Sequence, residues 1–290
     1  MFLILSIFCS SIINLVFRYF PKYQVDNQQA IAVNYWTCVV TGLLTSDFLL
    51  SEAPQYYQTD WGLYTLGLGL LFVSVFFGMA VTAQKFGISV SVIASKMGVV
   101  FPLLYAFIFL KEPTNALLII GIVMSLISVY FVSKKDKHKG SFKGNLIIIL
   151  LPAFVLLGSG VIDTSLKIIE QDIGGLSPAI PTIMIFFVAA VIGTGITLYR
   201  VLAKKTIIRK QNVLGGIALG IPNYFSIYFL FKALQSDFFS TSQVYPLNNI
   251  GIVVLSTVLS VIIFREHLNR KNLVGIGMAI LAIVLISLPS

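Results

Sequence analysis

The stretch Phe109–Val132, FLKEPTNALLIIGIVMSLISVYFV, returns later in the chain as Ile263–Ile286, IFREHLNRKNLVGIGMAILAIVLI. At a constant offset of 154 positions, Glu112 falls on Glu266, Asn115 on Asn269 and Gly121 on Gly275. In both copies a basic residue precedes the glutamate and a long apolar run follows. A chain that repeats a polar turn and an apolar segment in this way is built from two copies of one unit. The echo extends further at slightly smaller offsets. Asn14 and Arg18 fall on Asp163 and Lys167, Ala83 falls on Ala233, and with one residue gapped Lys96 and Gly98 meet Asn249 and Gly251. The two units are residues 1–138 and 139–290.

The repeated runs are long enough to decide the solvent. A hydrocarbon core of about 30 Å takes about 20 apolar residues per helix. Ten such runs can be drawn, near 2–20, 28–50, 62–84, 88–110, 115–133, 145–168, 179–200, 212–234, 239–264 and 272–288. They leave only short loops and no room for a soluble domain. Charged residues make up 11% of the chain, against about 25% in soluble domains. A membrane barrel would instead show short alternating strands. The expectation is an all-α integral membrane protein of ten transmembrane helices. The run after Met1 lacks a basic leader and continues into Asn14 and Arg18, so it reads as a first span and not as a cleaved signal. Cys9 and Cys38 both lie inside spans, where a disulfide framework is not expected.

Five spans per unit is an odd number, so the two units must lie in the bilayer with opposite orientation, as inverted repeats. The basic residues orient them. Loops after the odd-numbered spans carry Arg18, Lys22, Lys85, Lys134, Lys135, Lys137, Lys139, Lys143, Arg200, Lys204, Lys205, Arg209, Lys210, Arg265, Arg270 and Lys271. The opposite loops hold Lys111, Lys167 and Lys232. The positive-inside rule puts the rich side in the cytoplasm and both termini outside. This distribution also explains the net charge of +9 as membrane topology and not as a nucleic-acid surface.

Two five-helix units, each closing with Lys111-Glu112 before Gly121 or Arg265-Glu266 before Gly275, resemble the EamA domains of the drug/metabolite transporter superfamily. The resemblance covers nearly the whole chain. It implies a ten-helix carrier with a central cavity between the halves, alternating access, and termini on the cytoplasmic side. On that last point the loop charges of this chain imply the reverse and are followed here. The tryptophan-glycine frequent in the first helix of each EamA unit is replaced by Cys9-Ser10 and Gly158-Ser159.

Ionisable side chains inside a span cost about 2.5–3.5 kcal/mol on insertion scales and so mark functional positions. Lys96 lies roughly eight residues, or about 12 Å, into the fourth span. It either lines the cavity or pairs with a buried carboxylate to hold two helices together. Asp163 stands inside the sixth span, one turn from Lys167, with which it can form an i,i+4 pair. Alternatively it faces Lys96 or substrate and is a candidate proton carrier. Asn14 is its counterpart in the first unit, and Arg18 reads as a cytoplasmic anchor. Further candidates for a substrate site are Asn34 and Tyr35, Asn223 and Tyr224, and Tyr245, Asn248 and Asn249. Prolines at Pro102, Pro222 and Pro246 free carbonyls that are tolerated where they line a cavity. Glu112 and Glu266 read as local partners of Lys111 and Arg265 that end their helices.

A cation, an acid and amides together suit a small polar or zwitterionic metabolite, an amino acid for example. The expected function is a secondary transporter in a bacterial inner membrane, proton-coupled or running by exchange. Its partners are the small-molecule substrate and membrane lipids, with no nucleic acid and no cofactor, as a monomer or homodimer. An amphipathic drug or lipid carrier is the alternative, in which aromatic side chains dominate. A membrane enzyme is poorly supported, since there is no HExxH and the two histidines, His138 and His267, lie in loops.

Overall fold

A computed structural model describes residues 1–46, 56, 60–109, 116–133, 146–172, 177, 179–204, 206–234 and 241–287. These residues form helices and no strand. In order they are α1 (Phe2–Tyr19), α2 (Asn27–Thr45), α3 (Asp60–Phe86), α4 (Ile88–Lys96), α5 (Val100–Phe109), α6 (Ala116–Ser133), α7 (Leu146–Asp172), α8 (Ala179–Lys204), α9 (Lys210–Leu234), α10 (Thr241–Phe264) and α11 (Arg270–Ser287). Among the described residues, six stretches are long and apolar enough to cross a membrane: Phe2–Tyr19, Gly62–Phe86, Ile88–Tyr105, Ala179–Ala203, Lys210–Ala233 and Leu247–Phe264. Their outer faces expose Leu63, Leu66 and Leu70 of α3 and Val254, Val258 and Ile262 of α10, as expected of helices apolar all round that meet lipid.

Local chemistry sets the breaks. Asp26 caps α2 by accepting the Gln29 amide at 3.0 Å, which satisfies one of the donors a helix start leaves free. The fourth apolar run is interrupted where a 3-10 turn, Met97–Val99, joins α4 to α5. Pro102 is the cause: it has no N–H to return to Gly98 and its ring crowds that carbonyl, so the helix tightens for one turn. Gly87, between α3 and α4, has φ 110 and ψ 162, a region open essentially to glycine alone.

Small residues decide which helices approach. In the α6–α11 pair, a Cβ on Gly121 would meet Ile286 and the Ala282 carbonyl, while one on Gly275 would meet Val132 and the Ser128 carbonyl. In α9, Gly216 and Gly220 let α2 in, to the carbonyls of Ala30 and Asn34. Elsewhere α2 packs on α8, α3 on α7 and α8, and α1 on α9 and α10. The core is aromatic at its centre: Tyr35 lies 5.7 Å from Phe76 and 5.8 Å from Phe186, with Phe72 edge-on to Phe186 at 5.7 Å.

Candidate functional site

Lys96 ends α4 and Asp163 sits in the middle of α7, and one close approach brings them together. A Cβ on Gly98 would fall 2.7 Å from the backbone nitrogen of Gly160. The tightened turn after Lys96 therefore lies backbone to backbone on α7, three residues before Asp163. Phe101 covers the other side of the contact, since a Cβ on Gly160 would fall 2.1 Å from its ring. Lys96 and Asp163 are each other's charged neighbour. They make no ion pair within 4.0 Å and no hydrogen bond with the described residues. Both side chains remain partly exposed. Two opposite charges that lie near each other inside membrane segments without closing into an ion pair are the first candidates for a binding site in this chain. Lys167, the alternative partner of Asp163, has its side chain outside the described residues.

The other sequence candidates divide into separate groups. Asn34 of α2 and Asn223 of α9 bond to each other, Asn223 Nδ2 donating to Asn34 Oδ1 at 3.2 Å. Cys38 donates to the Gly220 carbonyl at 3.3 Å beside them. These amides tie α2 to α9, and both are buried. Tyr35 and Tyr224, the aromatic candidates for the substrate site, are fully buried as well. Tyr35 belongs to the aromatic core and its hydroxyl has no partner among the described residues, whereas Tyr224 meets Thr45 Oγ1 at 3.1 Å and stacks on Tyr228. Asn14, Asn248 and Asn249 are also closed off. Asn14 donates to the Ser10 carbonyl at 3.3 Å, and the Oδ1 atoms of Asn14 and Asn248 have no partner among the described residues. The side chain of Tyr245 lies outside the described residues.

One turn beyond Asp163 on the same face of α7, Leu166 lines a small apolar recess with Phe72, Thr182, Ile185, Phe186 and Ile227. The charged pair thus has an apolar neighbour built from α3, α8 and α9. Among the described residues no group of three or more His, Cys, Asp and Glu is placed to hold a metal ion.

Two polar residues outside this site have partners that their sequence reading did not name. Arg18 is no free anchor, because its guanidinium donates to the carbonyls of Ala83, at 3.1 Å, and Gln84 at the end of α3. Glu266 does not close on Arg265. Its carboxylate lies against Gly87, where a Cβ would overlap Oε1 at 1.7 Å. Glu112 lies outside the described residues. Sequence reasoning also passed over Asp26, which forms a two-pronged ion pair with Arg200, both contacts at 3.1 Å. The signal was present in Asp26-Asn27-Gln28-Gln29, an acid followed three residues later by glutamine at a helix start.

Comparison with known proteins places the whole chain. A model of the EamA-like transporter family matches residues 1–134 and again 149–288. An uncharacterized protein of Haemophilus influenzae (strain ATCC 51907 / DSM 11121 / KW20 / Rd) is 33% identical over 287 residues, spanning 97% of this chain and 95% of its own length. A solved crystal structure shares the fold with a TM-score of 0.61 at 14% identity, covering 97% of this chain and 95% of its own.

Proposed function

The chain belongs to the EamA-like transporter family and is an integral membrane protein, and on that premise we propose that it is a secondary transporter of a small zwitterionic metabolite. The observation that carries the substrate class is the Lys96–Asp163 pair, opposite charges that are neighbours, of intermediate exposure and without hydrogen-bonded partners among the described residues. A substrate carboxylate meets Lys96 and a substrate ammonium meets Asp163. Each contact offsets the cost of holding a charge among apolar helices. Leu166, Phe72 and Phe186 give the pair an apolar neighbour, a recess with room for little more than a water-sized group. Coupling runs through a proton on Asp163 or through exchange of one substrate for another.

The working cycle is alternating access between two five-helix inverted repeats, residues 1–138 and 139–290. Helix pairing supports this reading. The neighbours of Gly121 and those of Gly275 are the same positions moved by one repeat, Ala282 and Ile286 against Ser128 and Val132, as a two-fold axis through the α6–α11 pair requires. The basic loops face the cytoplasm of a bacterial cell. Cysteines introduced at positions 137 and 290 and labelled from outside intact cells test this, since reaction at 137 but not at 290 would reverse it.

The transport reading is tested in proteoliposomes with the purified protein and a metabolite selected by thermal stabilisation. Wild type accumulates or exchanges the metabolite, and K96A and D163N do not. Undiminished transport by both variants removes the pair from the mechanism. The apolar recess favours a second reading, an amphipathic carrier, for which K96A would leave transport of a hydrophobic cation intact.

A further inference from the structure

The glutamate of the repeated basic-Glu motif has no place in the binding site, yet its position is specific. α10 ends at Phe264, and Arg265 then takes the left-handed conformation at φ 49. The Glu266 amide turns back to the Ser260 carbonyl at 3.3 Å. This reversal aims the Glu266 side chain away from its own loop and across to the first half. It arrives at Gly87, whose φ of 110 and lack of a Cβ make room for the carboxylate. A second contact lies in the same seam, where the Ser89 and Ser260 hydroxyls meet at 3.3 Å. Gly87 is the hinge between α3 and α4: its amide bonds back to Ala83 and its carbonyl accepts the Ser91 amide, the first bond of α4. A carboxylate at this end of α4 is on the favourable side of the helix dipole.

α4 is short, running from this seam to Lys96, where the helix tightens. We propose that Glu266 is a positioning residue that docks the start of α4 across the interface between the halves and so sets where Lys96 stands. The inference rests on the reading of Lys96 as a cavity residue. The seam then ties the turn after α10 to the cation of the site, and Arg265 contributes its backbone turn and not its charge.

The test is footprinting of Lys96 itself. Purified protein in lipid nanodiscs is methylated with formaldehyde and borohydride, and the rate at Lys96 is read by peptide mass spectrometry beside the melting temperature. In E266A the rate changes by about fivefold or more, because the local docking of α4 is lost. E266Q, which removes the charge but keeps the shape, changes it by more than about twofold with little change in melting temperature. R265A reacts as wild type. Equal rates at Lys96 in wild type and E266Q, or an equal change in R265A, overturn the proposal. E266Q decides the matter should E266A not purify as a single species. Lys96 inert in wild type but reactive in either Glu266 variant upholds the positioning role while removing the cavity reading. Lys96 inert in all of them overturns both.

Discussion

The seam between α4–α5 and α7 and the seam between α10 and α1 are closed in different ways. In the first, Gly98 lies on the backbone of Gly160, and Lys96 and Asp163 remain partly exposed beside the contact. In the second, Gly251 is met by the side chain of Ile7 and the matching residues Asn14 and Asn249 are buried at 4% and 6% exposure. Tyr19 and Phe264 close its far end at 4.7 Å. One seam thus carries charges beside a backbone-to-backbone approach, and the other carries buried amides beside a side-chain contact. Two helix contacts built around glycines can differ in the polar groups they hold.

The largest expected effects break this contrast at its charges. K96A and D163N each lose transport by about tenfold or more, the scale of a charged hydrogen bond left unmade, while N14A and N249A stay within about threefold of wild type. Initial rates in proteoliposomes measure both. A loss in N249A equal to that in K96A would make the two seams functionally alike.

Packing gives the next effect. G160A drives a methyl into Phe101 and is expected to cost about 1–3 kcal/mol as overpacking, read as a fall in melting temperature. G251A meets Ile7 at Cδ1 and also at Cγ1, 2.9 Å away, so it overpacks too, but against an aliphatic side chain and not an aromatic ring, and is expected to cost less. G277A, with nothing within 4 Å, leaves the melting temperature unchanged or raises it, since alanine favours the helix by about 0.8–1.0 kcal/mol. A G251A protein less stable than G160A would reverse the assignment of the tight seam. Smaller again is N223A, which removes the bond to Asn34 and is expected to cost about 0.6 kcal/mol, the average for hydrogen bonds between membrane helices. The smallest effect belongs to R200A. Its ion pair with Asp26 is exposed by about a third on both partners, at 32% and 34%, and such pairs contribute about 0–1 kcal/mol.

Helix positions were legible in the sequence because span length is dictated by bilayer thickness: α1, α6 and α10 start and stop within a few residues of the apolar runs. Lys96 and Asp163 stood out for the same reason, as charges in the wrong solvent. What could not be read was direction. A period of 3.6 names faces but not neighbours when every face is apolar, so the sequence offered Tyr35 and Tyr224 as site candidates without showing that both are buried in the core. Asn34 and Asn223 looked like ligands because nothing in one helix reveals that the other amide is opposite. Glu266 was assigned to Arg265 by adjacency, and the left-handed turn at Arg265 that sends it to Gly87 leaves no mark in residue type. Gly98 and Gly160 were visible as glycines, but their contact depends on the tightened turn that Pro102 imposes.

The account stands on Lys96 and Asp163 acting as the substrate site while their counterparts Asn14 and Asn249 do not. The direct measurement is thermal stabilisation of purified wild type, K96A, D163N and N249A by the metabolite that stabilises wild type in a zwitterion screen. At a concentration of 100 times Kd, wild type and N249A gain about 2.7 kcal/mol and the two charge variants gain none. Equal stabilisation of wild type and both charge variants would contradict it.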